Sequence, residues 1–239
     1  MLLDMMSYGY AEVNGVVIDW TYLMVIAMAL ISVFCSWKVN STFNKYTKVQ
    51  ASLTGTQAAA TLLQANGITD VQIGRVSGNL TDHYSPSDKV LNLSDSTYGV
   101  ASVAAVGVAA HECGHAIQHK VGYGPLVLRS TIVPLANIGS KLGIPIIFLG
   151  WILSFSGLAT LGIIVFSLSV FFTLVTLPVE FNASHRAVDN LRRLNLMNER
   201  ELDGVKKVLT AAAMTYVASA ASSVVYLLRF IMLNRRRND

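Results

Sequence analysis

From Leu142 to Val179 the chain carries no Asp, Glu, Lys, Arg or His. In hydrocarbon every backbone N–H and C=O must find its partner within the protein, so a run of this kind is read as helix. One helix of this length would extend about 55 Å, well beyond a hydrocarbon thickness of roughly 30 Å. Two spans with a tight turn near Ser154-Phe155-Ser156-Gly157 fit better. Such a hairpin, residues 142–179, returns the chain to the side it left.

Two further stretches share this character. Trp20 to Trp37 is apolar and uncharged, with Trp20, Tyr22 and Trp37 at its edges, where aromatic rings favour the headgroup region. Residues 1–37 therefore read as an N-terminal region and a first span. Asp4 and Glu12 precede that span and no Lys or Arg does, so it reads as a retained anchor and not a cleavable signal. Lys38, Lys45 and Lys48 follow, which by the positive-inside rule puts the N-terminus outside and the next segment in the cytoplasm. A final run, Val208 to Leu233, is long enough to span, but Arg229 and Arg235-Arg236-Arg237 would then lie outside, against the rule. Its topology stays open, as a span or as a helix buried among the others.

Composition agrees. Charged residues make up 13% of the chain, against roughly 25% in soluble proteins. The net charge of +4 comes from basic residues clustered beside apolar segments, which read better as topology signals than as a nucleic-acid surface. Cys35 and Cys113 suggest no disulfide framework.

The polar part, residues 38–141, reads as a small cytoplasmic α+β domain. A helix is expected over Gln57 to Ala65, capped by Thr54 or Thr56 and stopped at Gly67. Val71 to Val76 and Lys89 to Leu93 look like strands, with Leu80 to Tyr84 extended between them, as a small antiparallel sheet. A long helix should follow from about Val100 to His119, capped by Ser94, Ser96 or Thr97. The segment 180–207 is polar and basic, and 208–239 holds the last apolar helix and a basic tail.

That long helix carries His111-Glu112-Cys113-Gly114-His115, an H-E-x-x-H pattern. Positions i and i+4 share a helix face, so both imidazoles reach one metal. Zinc accepts imidazole nitrogen readily, and a catalytic site keeps one position open for water. Glu112 would take a proton from that water and pass it to the leaving amine. With five His and five Glu in the chain, chance placement of the pattern is roughly 1 in 500. His119 lies one turn further on, but three ligands from one straight helix would span about 12 Å, too far for one ion. It reads as a supporting or surface residue.

A third ligand must come from elsewhere, and the downstream candidates are Glu180, His185, Asp189, Glu199 and Glu201. Glu180 is the strongest, because it follows Pro178 at the membrane exit and starts an expected helix. An ordinary first-turn Glu, favoured by the helix dipole, is the competing reading.

Four segments in order carry a resemblance: Lys38 to Tyr46, Leu80 to Tyr84, Ala109 to Gln118 and Leu177 to Ser184. Over nearly its whole length the chain resembles the neutral zinc metallopeptidase family of bacterial membrane proteins, the YugP-like family. More loosely it resembles gluzincins, including the HtpX-like membrane proteases. The resemblance implies a zincin-like domain, a Zn2+ cofactor and peptidase activity. In gluzincins a Glu ligand is followed four residues on by an Asp that supports a zinc-bound His. Glu180 fits the ligand position and Ser184 occupies the Asp position, so support would be weaker or come from another residue such as Asp82. Cys113 inside the motif is unusual, since a thiol that close would be open to oxidation or would compete for metal.

The fold class expected is thus a mainly α membrane protein with about four transmembrane or membrane-buried helices beside that domain. The expected function is a zinc-dependent endopeptidase acting on membrane or membrane-proximal proteins near the cytoplasmic face of a bacterial cell membrane. Oxyanion candidates are His83, Tyr84, His185 and Arg186. The partners expected are a protein or peptide substrate and the bilayer, with no nucleic acid, and with room for a homo-oligomer or a membrane scaffold partner. A non-catalytic, zinc-stabilised scaffold or adaptor is the alternative. It shares the metal and differs at Glu112. A transporter is disfavoured, since the spans carry few ionisable groups to line a path.

Overall fold

The computed structural model describes residues 10–13 and 16–237. Asp4 lies outside them. In chain order the elements are β1 (Tyr10–Val13), β2 (Val16–Asp19), α1 (Trp20–Thr47), α2 (Gly55–Ala65), β3 (Gln72–Val76), β4 (His83–Ser85), β5 (Val90–Ser94), α3 (Val103–Lys120), α4 (Gly124–Ile152), α5 (Ser156–Arg193) and α6 (Glu199–Arg236). Contacts divide the chain into two compact units. One comprises Met1–Phe34, Leu128–Thr176 and Tyr216–Asp239, the other Cys35–Val127 and Leu177–Thr215.

The first unit holds most of the apolar helical sequence. Among the described residues four helices, α1, α4, α5 and α6, are long and apolar enough to cross a membrane. Their outer faces would be costly in water: on α1, Leu30 is 66% and Val33 68% exposed. Within this unit α4 and α5 approach through glycines. A Cβ on Gly139 would meet the Val165 carbonyl oxygen at 2.7 Å, and one on Gly150 would run into the Ala159 nitrogen. Small residues at such contacts let helices associate where no hydrophobic effect drives them together. Thr173 and Ser223 add a hydroxyl pair at 2.9 Å. The turn of the hairpin falls between Ile152 and Ser156, as expected, but its first arm begins at Gly124 and not at Leu142. Arg129 and Lys141 limit a hydropathy reading without breaking a helix. α1 likewise continues past Lys38 to Thr47.

Three of the arginines near the end of the chain, Arg229, Arg236 and Arg237, have partners. Arg229 Nη1 lies 3.2 Å from Asp19 Oδ2 and donates to Thr21 Oγ1 at 2.6 Å, with its guanidinium over the Tyr22 ring. Arg236 Nη1 lies 3.8 Å from the same carboxylate, and Arg237 donates to the Trp151 carbonyl at 2.8 Å. Ion pairing and ring contacts offset the charges that made this end awkward to read.

The second unit is built on a dry core. Leu62, Leu91, Leu93, Val103, Val106, Leu191, Leu202 and Val205 have essentially no exposure. α2 starts as expected: Thr54 accepts from the Gln57 N–H while the Gln57 side chain accepts from the Thr54 N–H. Two expectations are corrected. The sheet has the order β3-β5-β4, with β3 parallel to β5 and only β4 antiparallel to it. The chain does not turn tightly after β3. Gly78 and Leu80 take positive φ, and Asp95 accepts from Arg75 and the Gly78 N–H, so the loop crosses back before β4. Helix α3 is capped by Ser102, whose Oγ accepts from the Ala105 N–H, and not by Ser94, Ser96 or Thr97. Ser94 donates its hydroxyl to Asp82 instead, and an isolated bridge between Gln50 and Ser102 helps to set the helix start.

The third correction bears on the site. Glu180 does not start a helix: α5 runs unbroken from Ser156 to Arg193 with Pro178 inside it. An interior proline costs about 3 kcal/mol. Burial offsets this, for Val179, Ala183, Ala187 and Leu191, spaced four apart, are all 0–1% exposed.

Candidate metal centre

Helix α3 turns one face toward α5, and the two come together at Gly114. A Cβ there would meet the Ala183 carbonyl oxygen at 2.5 Å, with the Ala183 C and Cα at 3.0 and 3.1 Å. All three are backbone atoms, which cannot swing aside. The glycine inside the motif is therefore what allows the approach. Gly114→Ala should force the helices apart by about 1 Å to restore ordinary contact distances. We expect a stability loss of about 1–3 kcal/mol and weaker metal binding, read by thermal unfolding and by metal titration.

This approach brings His111, His115 and Glu180 together, with one ligand atom of each within 4.8 Å of the others. Glu180 Oε2 lies 3.3 Å from His111 Nε2 and 3.6 Å from His115 Nε2. Two ligands of a tetrahedral ion with bonds of about 2.0–2.1 Å sit about 3.3 Å apart, so this spacing suits zinc. All three side chains are largely withdrawn from solvent, Glu180 most at 4% exposed. The outer nitrogens are occupied. His111 Nδ1 lies 3.1 Å from Ser184 Oγ, and His115 Nδ1 lies 3.0 Å from Gln118 Oε1. Both Nε2 atoms are thereby aimed at the same carboxylate oxygen, an arrangement that could hold a cation between the three groups. Burial pushes the His115 imidazole down, but hydrogen bonding to Glu180 and the charge of Glu112 outweigh it and hold it above its ordinary value. That again marks a place that favours positive charge.

Glu112, only 8% exposed, is not among the converging ligands. Its Oε2 accepts the Tyr84 backbone N–H at 3.0 Å, so edge strand β4 holds the carboxylate in place. Cys113 turns the other way. Its thiol faces the Ala59 carbonyl and is 1% exposed, and burial pushes its pKa up. It stays a neutral thiol and neither competes for metal nor invites oxidation.

The remaining expected residues are dispersed. Asp82 accepts from the Ser94 N–H and hydroxyl and touches neither histidine, because it ties the loop before β4 to the end of β5. The Tyr84 hydroxyl lies 2.8 Å from His119 Nδ1, leaving only the backbone of Tyr84 at the site. His83 is exposed, between the Thr81 carbonyl and Asn92. His185 pairs with Asp189 at 3.0 Å on an exposed face. Arg186 Nε donates to Asn182 Oδ1 at 2.7 Å. Of the other third-ligand candidates, Glu199 pairs with Arg192, and Glu201 accepts from the Asn198 N–H at the start of α6. Sequence reasoning missed Gln118 and Asn182. Gln118 had a visible signal: it lies three residues after His115, on the same helix face. Asn182 had none, since its role depends on the meeting of two helices.

Comparison with known proteins gives the family. The chain is 48% identical over 215 residues to a Bacillus subtilis protein named "Putative membrane protease YugP", covering 89% of this chain and 95% of that one. No solved structure matches it. The family described as "Putative neutral zinc metallopeptidase" matches residues 21–235, the span that includes both histidines, Glu112 and Glu180. With the match running across all four long apolar helices and through the His-His-Glu cluster, this chain belongs to that family of zinc peptidases.

Proposed function

We propose that the chain is a membrane-embedded zinc endopeptidase of gluzincin type, in which His111, His115 and Glu180 hold the ion and Glu112 is the general base. The observation that carries this is the meeting of one Glu180 oxygen with both Nε2 atoms at 3.3 and 3.6 Å. When bound, zinc supplies a Lewis acid for the scissile carbonyl. Glu112 takes the proton of the attacking water and passes it to the leaving amine. The Tyr84 N–H keeps that carboxylate aimed while it does so. Ser184 and Gln118 hold the imidazoles in place.

The active site faces the cytoplasm in this reading. Lys38, Lys45, Lys48, Arg186, Arg192, Arg193, Lys206 and Lys207 all flank apolar stretches on the segments that carry the site. Glu180 directly follows the apolar stretch of α5, so substrates would be tails, loops or misfolded segments of proteins at the membrane surface.

The test is metal removal from detergent-purified protein. A chelator should abolish cleavage of an unfolded protein substrate, and zinc should restore it. Cleavage that persists in metal-free protein would overturn the proposal.

A further inference from the structure

The two imidazoles are held by partners of different kinds. Ser184 offers His111 a hydroxyl, which can donate or accept. Gln118 offers His115 one particular atom, and the surrounding groups determine which. Arg186 Nε can only donate, so the Asn182 atom 2.7 Å from it must be the oxygen. That oxygen also lies 3.0 Å from Gln118 Nε2, so Gln118 donates to it. A second acceptor agrees independently, since the Val179 carbonyl oxygen, which cannot donate, lies 2.8 Å from the same Nε2. With its NH2 engaged twice, Gln118 can present only Oε1 to His115. The His115 atom facing it must then carry a proton, so in the neutral ring it is Nε2, the atom facing Glu180, that has the lone pair. Gln118 is fully buried, so no water competes for either end of its amide. Arg186 is held in turn, with its guanidinium 5.9 Å from the centre of the Tyr123 ring.

We infer that Gln118, Asn182 and Arg186 form a relay of positioning residues that locks the neutral His115 ring in its Nδ1–H tautomer, so that Nε2 is the nitrogen left for the ion. The inference rests on His115 being a zinc ligand as proposed above. It adds three residues, on α3 and α5, whose effect reaches the metal only through that ring. His111, backed by a hydroxyl, lacks this lock.

The experiment combines ring 15N spectra of metal-free protein, taken at alkaline pH where the imidazoles are neutral, with zinc affinity by chelator competition. In the parent protein His115 Nε2 should give the signal of an unprotonated nitrogen. Gln118→Leu should bring up the Nε2–H form and weaken zinc binding by about 10–100-fold. Asn182→Leu should shift both readouts less, because the Val179 carbonyl still holds the amide. Asn182→Asp, which keeps an acceptor for both donors, should restore the parent spectrum. The half-buried Asn182 and Arg186 variants carry the test if Gln118→Leu does not fold, and Arg186→Leu should act in the same direction as Asn182→Leu. An unchanged His115 tautomer in all of these variants would overturn the relay. Failure of the parent protein to bind zinc would overturn the metal site instead, and the spectra separate the two results.

Discussion

Replacing Glu112 with Gln is expected to leave zinc content unchanged and to lower peptide hydrolysis by about 10²–10⁴-fold, the range of a general base. The substitution suits the structure. The Gln side chain has the same shape and still offers an oxygen to the Tyr84 N–H at 3.0 Å, so β4 and α3 keep their contact. Glu112 is outside the ligand cluster, so the ion loses nothing. What is lost is the ability to accept a proton from water. Turnover measured beside metal analysis checks this. Equal hydrolysis by variant and parent would remove Glu112 as the base. A variant that loses both zinc and activity would mean that Glu112 takes part in metal binding. The same measurement separates the peptidase from a zinc-stabilised scaffold, which has no use for a base next to the ion.

Glu180→Ala should have the largest effect on the metal itself. Catalytic zinc sites draw on three protein ligands, and this change leaves two imidazoles. We expect affinity to fall by more than the about 10–100-fold typical of losing a supporting residue, with activity falling below detection. Chelator competition and metal analysis of the purified variant read this directly. Glu180→Asp keeps the charge but withdraws the oxygen by one methylene from contacts now at 3.3 and 3.6 Å, so it should retain metal more weakly. Unchanged zinc content in Glu180→Ala would dismantle the site described here, because among the described residues no other His, Cys, Asp or Glu joins the cluster.

Much of the site was legible because its signals are local. His111 and His115 are four apart on a helix, and that spacing alone puts them on one face. Glu180 stood out as a carboxylate just past an apolar stretch, although the helix expected to begin there had in fact begun at Ser156. Ser184 came from the family resemblance, and its hydroxyl does reach His111. Asp82 and His83 misled because chemistry-bearing residues near a motif in sequence carry no information on where their side chains turn. Asp82 is spent on Ser94, and His83 on Thr81 and Asn92.

The sequence by itself determined the four long apolar helices and the paired imidazoles, since both follow from periodicity and hydropathy within one segment. Only the tertiary structure decided that β3 runs parallel to β5, that Tyr84 holds Glu112 through its backbone, and that Gln118 rather than Asp82 backs a histidine. Each of these depends on groups distant in sequence, and above all on the close approach of α3 and α5 at Gly114 and Ala183. The physical reason is that a helix's own pattern specifies which face it offers. Which atoms meet across that face depends on how near the other backbone can come.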